Sequence, residues 1–247
     1  MKVPRGTPRV NQQPAFILHQ YPYRETSRLL DVFSRDHGRI TLVARGVQRH
    51  GSQLRGVLLG HQPLLLDWFG GGEVKTLHAA HWQPGIPQLR EVALLCGLYA
   101  NELLQRILPR EIQASLLFAE YFQLVKCLAR NAGNPAMLEF ALRQFEGQLL
   151  ASQGVAIDWR NTAEGAPVSP DCFYAFSVDR GLHETPSEGA RGQALLAFAD
   201  GQAVQGWQMQ EMKRLMRQVL SATLLDSQPL QTRNLMQEIQ RMVQPLA

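Results

Sequence analysis

The spacing of apolar residues changes period once along this chain, near Pro84–Pro87, and the change limits what each part can fold into. Before it, apolar positions come in short runs bounded by turn signals. Ala15–Gln20 ends at Tyr21-Pro22, and Arg28–Ser34 precedes a turn at Asp36-His37-Gly38. Arg39–Ala44 alternates strictly, with Ile40, Leu42 and Ala44 on one face and Arg39, Thr41 and Val43 on the other. Gln62–Phe69 is followed by Gly70-Gly71-Gly72, which turns the chain into Val74–Ala80. Five short strands separated by turns fit a small barrel or sandwich better than a parallel sheet.

Beyond Pro87 the period becomes about 3.6. Leu95, Tyr99, Leu103 and Ile107 form one helical stripe, closed by Pro109, and Leu117, Tyr121, Leu124 and Leu128 form a second. A third helix carries both end signals: Asn134 as cap with Pro135 at its first position, and Gly154 past its last turn. Its stripe is Leu138, Leu142, Phe145 and Leu149. Val155 to about Ser187 loses periodicity and collects Gly, Pro, Asn and Asp, which predicts a long irregular excursion. Two amphipathic helices follow, through Met212, Leu215, Met216, Val219 and Leu220, and through Leu235, Met236, Ile239, Met242 and Val243. The expected fold class is α+β and multidomain. Residues 1–14 form a loose tail, 15–82 an all-β domain, and 88–247 a helical domain with an irregular insertion at 155–187.

Charge separates the same two regions. Residues 1–80 hold eleven Lys/Arg against five acids, and residues 81–247 hold fourteen against sixteen. A basic module joined to a near-neutral one points the first at a polyanion and the second at other partners. Arginine far outnumbers lysine, which suits phosphate recognition but equally reflects genomic base composition. Three separated cysteines, Cys96, Cys127 and Cys172, do not make a disulfide framework or a four-cysteine zinc site, and they fit a reducing cytoplasm. No apolar run is long enough to span a bilayer or to form a signal-peptide core, so a cytoplasmic location is expected.

The segment with the most functional content is Arg45–Arg55 (RGVQRHGSQLR), which carries Arg45, Arg49, His50 and Arg55 and no acid. Such a segment suits contact with the phosphate backbone, where affinity comes from counterion release; the plain alternative is a solvated mobile loop. A second cluster, Arg24, Arg28, Arg35 and Arg39, surrounds the first hairpin, diluted by Glu25, Asp31 and Asp36. Arg24, Arg28, Arg39, Arg45, Arg49, His50, Arg55 and Lys75 are therefore the candidate DNA-binding residues. Tyr21, Tyr23, Phe33, Trp68, Phe69 and Trp82 are candidate stacking platforms. Phe33 and one of Trp68 or Phe69 are expected in the core, leaving Tyr21 and Tyr23 as the better exposed rings. His78 and His81 fall at a strand end without a cysteine or carboxylate partner, so no metal site is expected. No Gly-x-Ser-x-Gly, phosphate-cradling loop or Ser/His/Asp grouping stands out, so neither a cofactor nor catalysis is expected.

At these residues the chain resembles the RecO family of bacterial DNA repair and recombination mediators. The likeness runs through AFILHQYPYRETSRLLDVFSRDHGRITLVARGV (15–47), QPLLLDWFGGGEVKTLHAA (62–80), GLYANELLQRILPREIQASLLFAEYF (97–122) and AMLEFALRQFEGQLLASQGV (136–155), with an echo at PLQTRNLMQEI. The resemblance implies an amino-terminal five-stranded oligonucleotide/oligosaccharide-binding (OB) barrel followed by an all-α domain. It implies binding of single- and double-stranded DNA and annealing of complementary strands. With the partner RecR, it implies loading of the RecA recombinase onto DNA coated by single-stranded DNA-binding protein (SSB). It also implies capture of the acidic, phenylalanine-ended SSB tail on the helical domain. Arg143 is the candidate for that tail, beside Leu142 and Phe145, its plain alternative being an ion pair with Glu139 or Glu146. Many RecO-like proteins hold a structural zinc through four cysteines after the third helix. Here that segment offers only Cys172, so no zinc is carried over.

The leading reading is thus a non-enzymatic recombination mediator that binds DNA without sequence preference. The alternative is an adaptor that binds the SSB tail through its helical domain with little direct DNA binding.

Overall fold

The computed structural model describes residues 8–202, 206–225 and 228–243. Its amino-terminal part is a closed barrel of five strands: β1 (Arg9–Tyr23), β2 (Ser27–Ser34), β3 (Gly38–Ala44), β4 (Leu64–Phe69) and β5 (Val74–Trp82). The order around the barrel is β1-β2-β3-β5-β4, with β3 and β5 parallel and the other pairs antiparallel. A short helix, α1 (Leu54–Val57), lies between β3 and β4. This is the OB arrangement. Closure depends on the length of β1: Ala15–Tyr23 pairs with β2, and Arg9–Ala15 pairs with β4. Register shifts at Val10/Gln13 and Ile17/His19 bend the strand between its two neighbours.

The predicted inward face of β3 is correct: Ile40, Leu42 and Ala44 join Ile17, Leu30, Val32, Leu64, Leu66, Trp68 and Leu77 inside the barrel. The outer faces of β1 and β2 are buried as well, which explains the continuous apolar run Ala15–Leu18. Phe16 packs against Tyr121 and Phe118 of α3 (Ser115–Arg130) at ring-centroid distances of 5.0 and 5.6 Å, and Phe33 meets Phe118 at 5.4 Å. The expected tail at 1–14 is corrected in part. Residues 1–7 lie outside the described residues, but Arg9–Pro14 is strand. Its side chains are mostly polar, so no alternation announces it; backbone pairing with β4 and the bond from Gln12 N–H to Asp67 Oδ1 (2.6 Å) hold it instead.

The chain forms two compact units whose boundary differs from the expected one at 82–88. Residues up to Arg90 group with Gly97–Arg130, so α3 and most of α2 (Glu91–Ile107) belong with the barrel. Glu91–Cys96 groups with Asn131 onward. In the first unit Asn101 of α2 donates to the Leu18 carbonyl (2.8 Å) and accepts from the Tyr121 hydroxyl (2.5 Å). In the second unit, α4 (Pro135–Ser152) starts as predicted, with the Asn134 side chain accepting from the Met137 N–H at 3.1 Å and Pro135 in its first turn. Leu138, Phe145 and Leu149 are buried, as are Met212, Leu215, Met216 and Val219 of α6 (Trp207–Thr223).

The stretch 155–187 is more ordered than its composition suggests. β6 (Phe173–Ser177) pairs with β7 (Gly181–Thr185) and with β8 (Ala190–Arg191), ahead of α5 (Gly192–Ala199). The Tyr174 hydroxyl accepts from the Ser169 N–H at 2.8 Å, and a Cβ at Gly192 would lie 1.8 Å from the Ser169 carbonyl oxygen. Backbone polar bonds and close approach therefore hold this segment, and neither leaves a hydrophobic period. The last helix, α7, spans Gln231–Val243. The side chains of Ile239, Met242 and Val243, expected on its stripe, lie outside the described residues.

Candidate nucleic-acid interface

An OB barrel usually receives an oligonucleotide on the outer face of its second and third strands, flanked by the turns after the first and fourth strands. Here that face is covered from within the chain. Arg39, pointing outward from β3, clamps Asp31 of β2 with Nε at 3.0 Å from Oδ1 and Nη2 at 3.1 Å from Oδ2. Its Nη1 donates to the carbonyls of Gln105 and Leu108 (the latter at 3.1 Å) at the carboxy-terminal end of α2. Gln105 Nε2 adds a bond to Asp31 Oδ2 at 3.1 Å. The connection from α2 to α3 then runs along β3: Arg110 donates to the Thr41 hydroxyl, and the Glu111 N–H donates to the Arg39 carbonyl at 2.9 Å. Glu111 also pairs with Lys75 at 2.5 Å, beside the turn between β4 and β5. Arg39 and Lys75, both expected to face DNA, are thus engaged inside the molecule, with only 13% and 12% of their side chains exposed. Their partners lie far away in sequence, which is why spacing alone placed them on an open sheet face.

The other candidate cations converge at the opposite end of β3. Arg28, at the start of β2, is paired in register with Ala44, the last residue of β3. The Gln48 N–H donates to the Thr26 carbonyl at 3.0 Å, which fastens the segment after β3 to the β1–β2 turn that carries Arg24. Gln20 Nε2 donates to the Leu58 carbonyl at 2.7 Å, and Arg28 Nη1 donates to Gln20 Oε1 at 3.0 Å. Between these ties the chain advances by successive tight turns, with Arg49 N–H to Gly46 O, Ser52 N–H to Arg49 O and Arg55 N–H to Ser52 O at 3.1–3.2 Å. Val47 and Leu58 are anchored in the barrel core while Arg45, Arg49, His50 and Arg55 are exposed. The segment is therefore a pinned ridge with its cations outward rather than a loose loop. No acid occurs between Asp36 and Asp67, and Glu25 is the one acidic residue in the β1–β2 turn. Arg24 and Arg28 of the hairpin cluster thus join the Arg45–Arg55 cations, while Arg35, paired with Asp36, and Arg39 do not.

Among the aromatic candidates, Phe33 and Trp68 are core residues and Phe69 is half-buried. Tyr21 is 47% exposed, and Tyr23 is half-buried with the Arg24 guanidinium 5.2 Å from its ring centroid. Trp82, the remaining candidate, is 50% exposed at the end of β5. His78 and His81 are both exposed; a register shift interrupts the alternation of β5 at His78, so that Leu77 and Ala80 both face the core. Among the described residues no group of three or more His, Cys, Asp or Glu is placed to hold a metal.

The proposed tail-binding trio is not a surface. Leu142, Arg143 and Phe145 are buried in the second unit, and Arg143 Nη2 pairs with Glu146 Oε1 at 2.5 Å, both side chains being almost fully enclosed. The i,i+3 ion pair is therefore the reading that the structure supports, and it corrects the expectation that this arginine reaches a ligand. In the same unit, burial pushes the Cys96 thiol up to about 11, leaving it a protonated core residue.

An OB-type barrel whose customary face is covered, with a basic ridge at one end and a helical carboxy-terminal region, defines a two-part protein of the oligonucleotide-binding-fold class. Comparison with known proteins narrows the class. Residues 9–83 match the family model described as recombination protein O N terminal, and residues 91–226 match recombination protein O C terminal. The chain belongs to the RecO family. It is 41% identical over 241 residues to the DNA repair protein RecO of Aromatoleum aromaticum, covering 95% of this chain and 98% of that one. It is 42% identical to the protein of the same name from an Azoarcus species (94% and 97% covered). To that of Dechloromonas aromatica it is 40% identical (95% and 98% covered). No helix among the described residues is long and apolar enough to cross a membrane.

Proposed function

We propose that this chain is a non-catalytic recombination mediator of DNA repair, acting in the cytoplasm, that binds single- and double-stranded DNA without sequence preference. The supporting observation is the ridge at 45–55 joined to the β1–β2 turn, where Arg24, Arg28, Arg45, Arg49, His50 and Arg55 share one end of the barrel. Cations held on a pinned backbone neutralise phosphates and release counterions, and they read no base edges, so the binding is general. Bringing two strands to such a surface lowers the phosphate repulsion that opposes annealing. Together with RecR, the chain helps to load RecA onto SSB-coated DNA, and its helical region engages protein partners, including the SSB tail. That contact uses a surface other than the buried Leu142, Arg143 and Phe145. Annealing of two complementary strands carrying a donor and an acceptor dye tests the proposal. Full-length protein should accelerate pairing at low salt and lose the effect as salt rises. An unchanged annealing rate together with absent strand binding refutes it, and leaves the adaptor reading.

A further inference from the structure

Beside the basic ridge the barrel carries an open groove of about 660 Å³, lined by Val57, Leu59, Ile86 and Trp82, with the exposed Gln88 also on it. Three observations bear on its occupant. First, the Trp82 ring is half exposed yet held, because its Nε1–H donates to Oε1 of the buried Gln62 at 2.9 Å. An aromatic plane fixed in this way is ready to stack without first losing side-chain freedom. Second, the lining is mostly apolar with the exposed amide of Gln88 beside it, which suits a flat ring with a polar edge. Third, the groove's lining starts at Gly56, one residue after Arg55, so the groove adjoins the cationic ridge. A chain that suits both features has anionic links and aromatic branches.

We infer that Trp82 and this groove form a base-binding subsite, in which one unstacked nucleobase of a single strand lies on the indole while the adjoining phosphates follow Arg45–Arg55. The inference rests on the DNA-binding reading and adds to it a means of telling a single strand from a duplex, since paired bases cannot present their faces. An apolar peptide fits the lining equally well, but the neighbouring cations, in a stretch from 37 to 66 that holds no acid, favour a polyanion.

The test compares a thymidine oligonucleotide with an abasic strand of equal length and charge, bound to full-length protein over a salt series. Stacking of one base predicts that wild type prefers the thymidine strand by roughly 5- to 150-fold. Trp82→Leu should abolish most of that preference while leaving the abasic affinity and the salt slope unchanged. Trp82→Phe, which keeps a ring and guards against a folding defect, should retain part of it. Emission that the thymidine strand quenches in wild type should be missing from Trp82→Phe. Equal binding of the two strands by wild type, or a preference that survives Trp82→Leu, overturns the base site while the phosphate interface stands. Failure of both strands to bind overturns the DNA reading and the subsite with it. Quenching by an apolar peptide but not by the thymidine strand assigns the groove to protein and also overturns the inference.

Discussion

Replacing Arg39 by methionine separates a structural arginine from a DNA-binding one. The substitution keeps an unbranched stem and removes the guanidinium that bonds both Asp31 oxygens and two carbonyls at the end of α2. Asp31, with 4% of its side chain exposed, then keeps one donor, Gln105 Nε2 at 3.1 Å. Removing one member of a buried ion pair costs about 3–5 kcal/mol, and the surviving donor places this case near the lower end. With a urea dependence of about 2 kcal/mol per molar, the unfolding midpoint should fall by roughly 1.5 M. Asp31→Asn in the same chain removes the stranded charge, so the double variant should recover about 1–2 kcal/mol relative to the sum of the single changes. Urea unfolding followed by circular dichroism measures both quantities. DNA affinity, measured without denaturant, should stay within about twofold of wild type, since a group committed inside the molecule releases no counterion. A loss below about 1 kcal/mol, joined to weaker DNA binding and a shallower salt slope, would refute the assignment.

The remaining predictions concern the cover of the barrel and the second unit. Gly38 has φ +61°, and a Cβ there would lie 1.9 Å from the Ile112 carbonyl oxygen, so Gly38→Ala should cost more than about 3 kcal/mol in chemical denaturation. Wild-type stability in that variant would mean that the α2–α3 connection does not lie on the barrel. Burial holds His61 below its usual 6.5, so the unfolded chain takes up that proton first; the stability it contributes is complete above this value and declines as pH falls through it. Between about pH 7.5 and pH 5.5 the urea midpoint should therefore drop more steeply in wild type than in His61→Gln; parallel slopes would clear His61. Arg143→Met leaves Glu146 enclosed without its guanidinium partner and should cost about 3–5 kcal/mol, read as a lowered thermal midpoint. An unaltered midpoint would return Arg143 to the surface and to partner binding.

Much of this architecture is legible in the residues because it rests on local rules. Alternation in Arg39–Ala44 sorts Ile40, Leu42 and Ala44 inward, and Asn134-Pro135 marks the first turn of α4 before any tertiary contact is known. What is not legible depends on partners distant in the chain. The parallel pairing of β3 with β5 leaves no local pattern, and Arg9–Pro14 is strand only because β4 is beside it. The candidate interface divides in the same way. The charge of Arg45–Arg55 is plain in the sequence, and Val47 and Leu58 are the apolar anchors that turn it from a loop into a ridge. Arg39 looks like the other cations because its engagement depends on Gln105 and Leu108, more than sixty residues on. Arg143 hides similarly: one turn of helix brings Glu146 within reach, but only packing shows that both are enclosed.

The central claim is that DNA binds at the ridge after β3 and not on the covered face of β2 and β3. Single-strand affinity of full-length protein, measured by anisotropy over a salt series, tests it most directly when wild type is compared with an Arg45→Ala, Arg49→Ala, Arg55→Ala variant and with Arg39→Met. Each phosphate contact on a single strand contributes about 0.7 to the log–log slope, so losing three should flatten it by about 2 and weaken binding roughly a hundredfold at ~0.1 M salt. Arg39→Met should keep the wild-type slope. A triple variant with an unchanged slope, or an Arg39→Met slope that falls with it, would contradict the account.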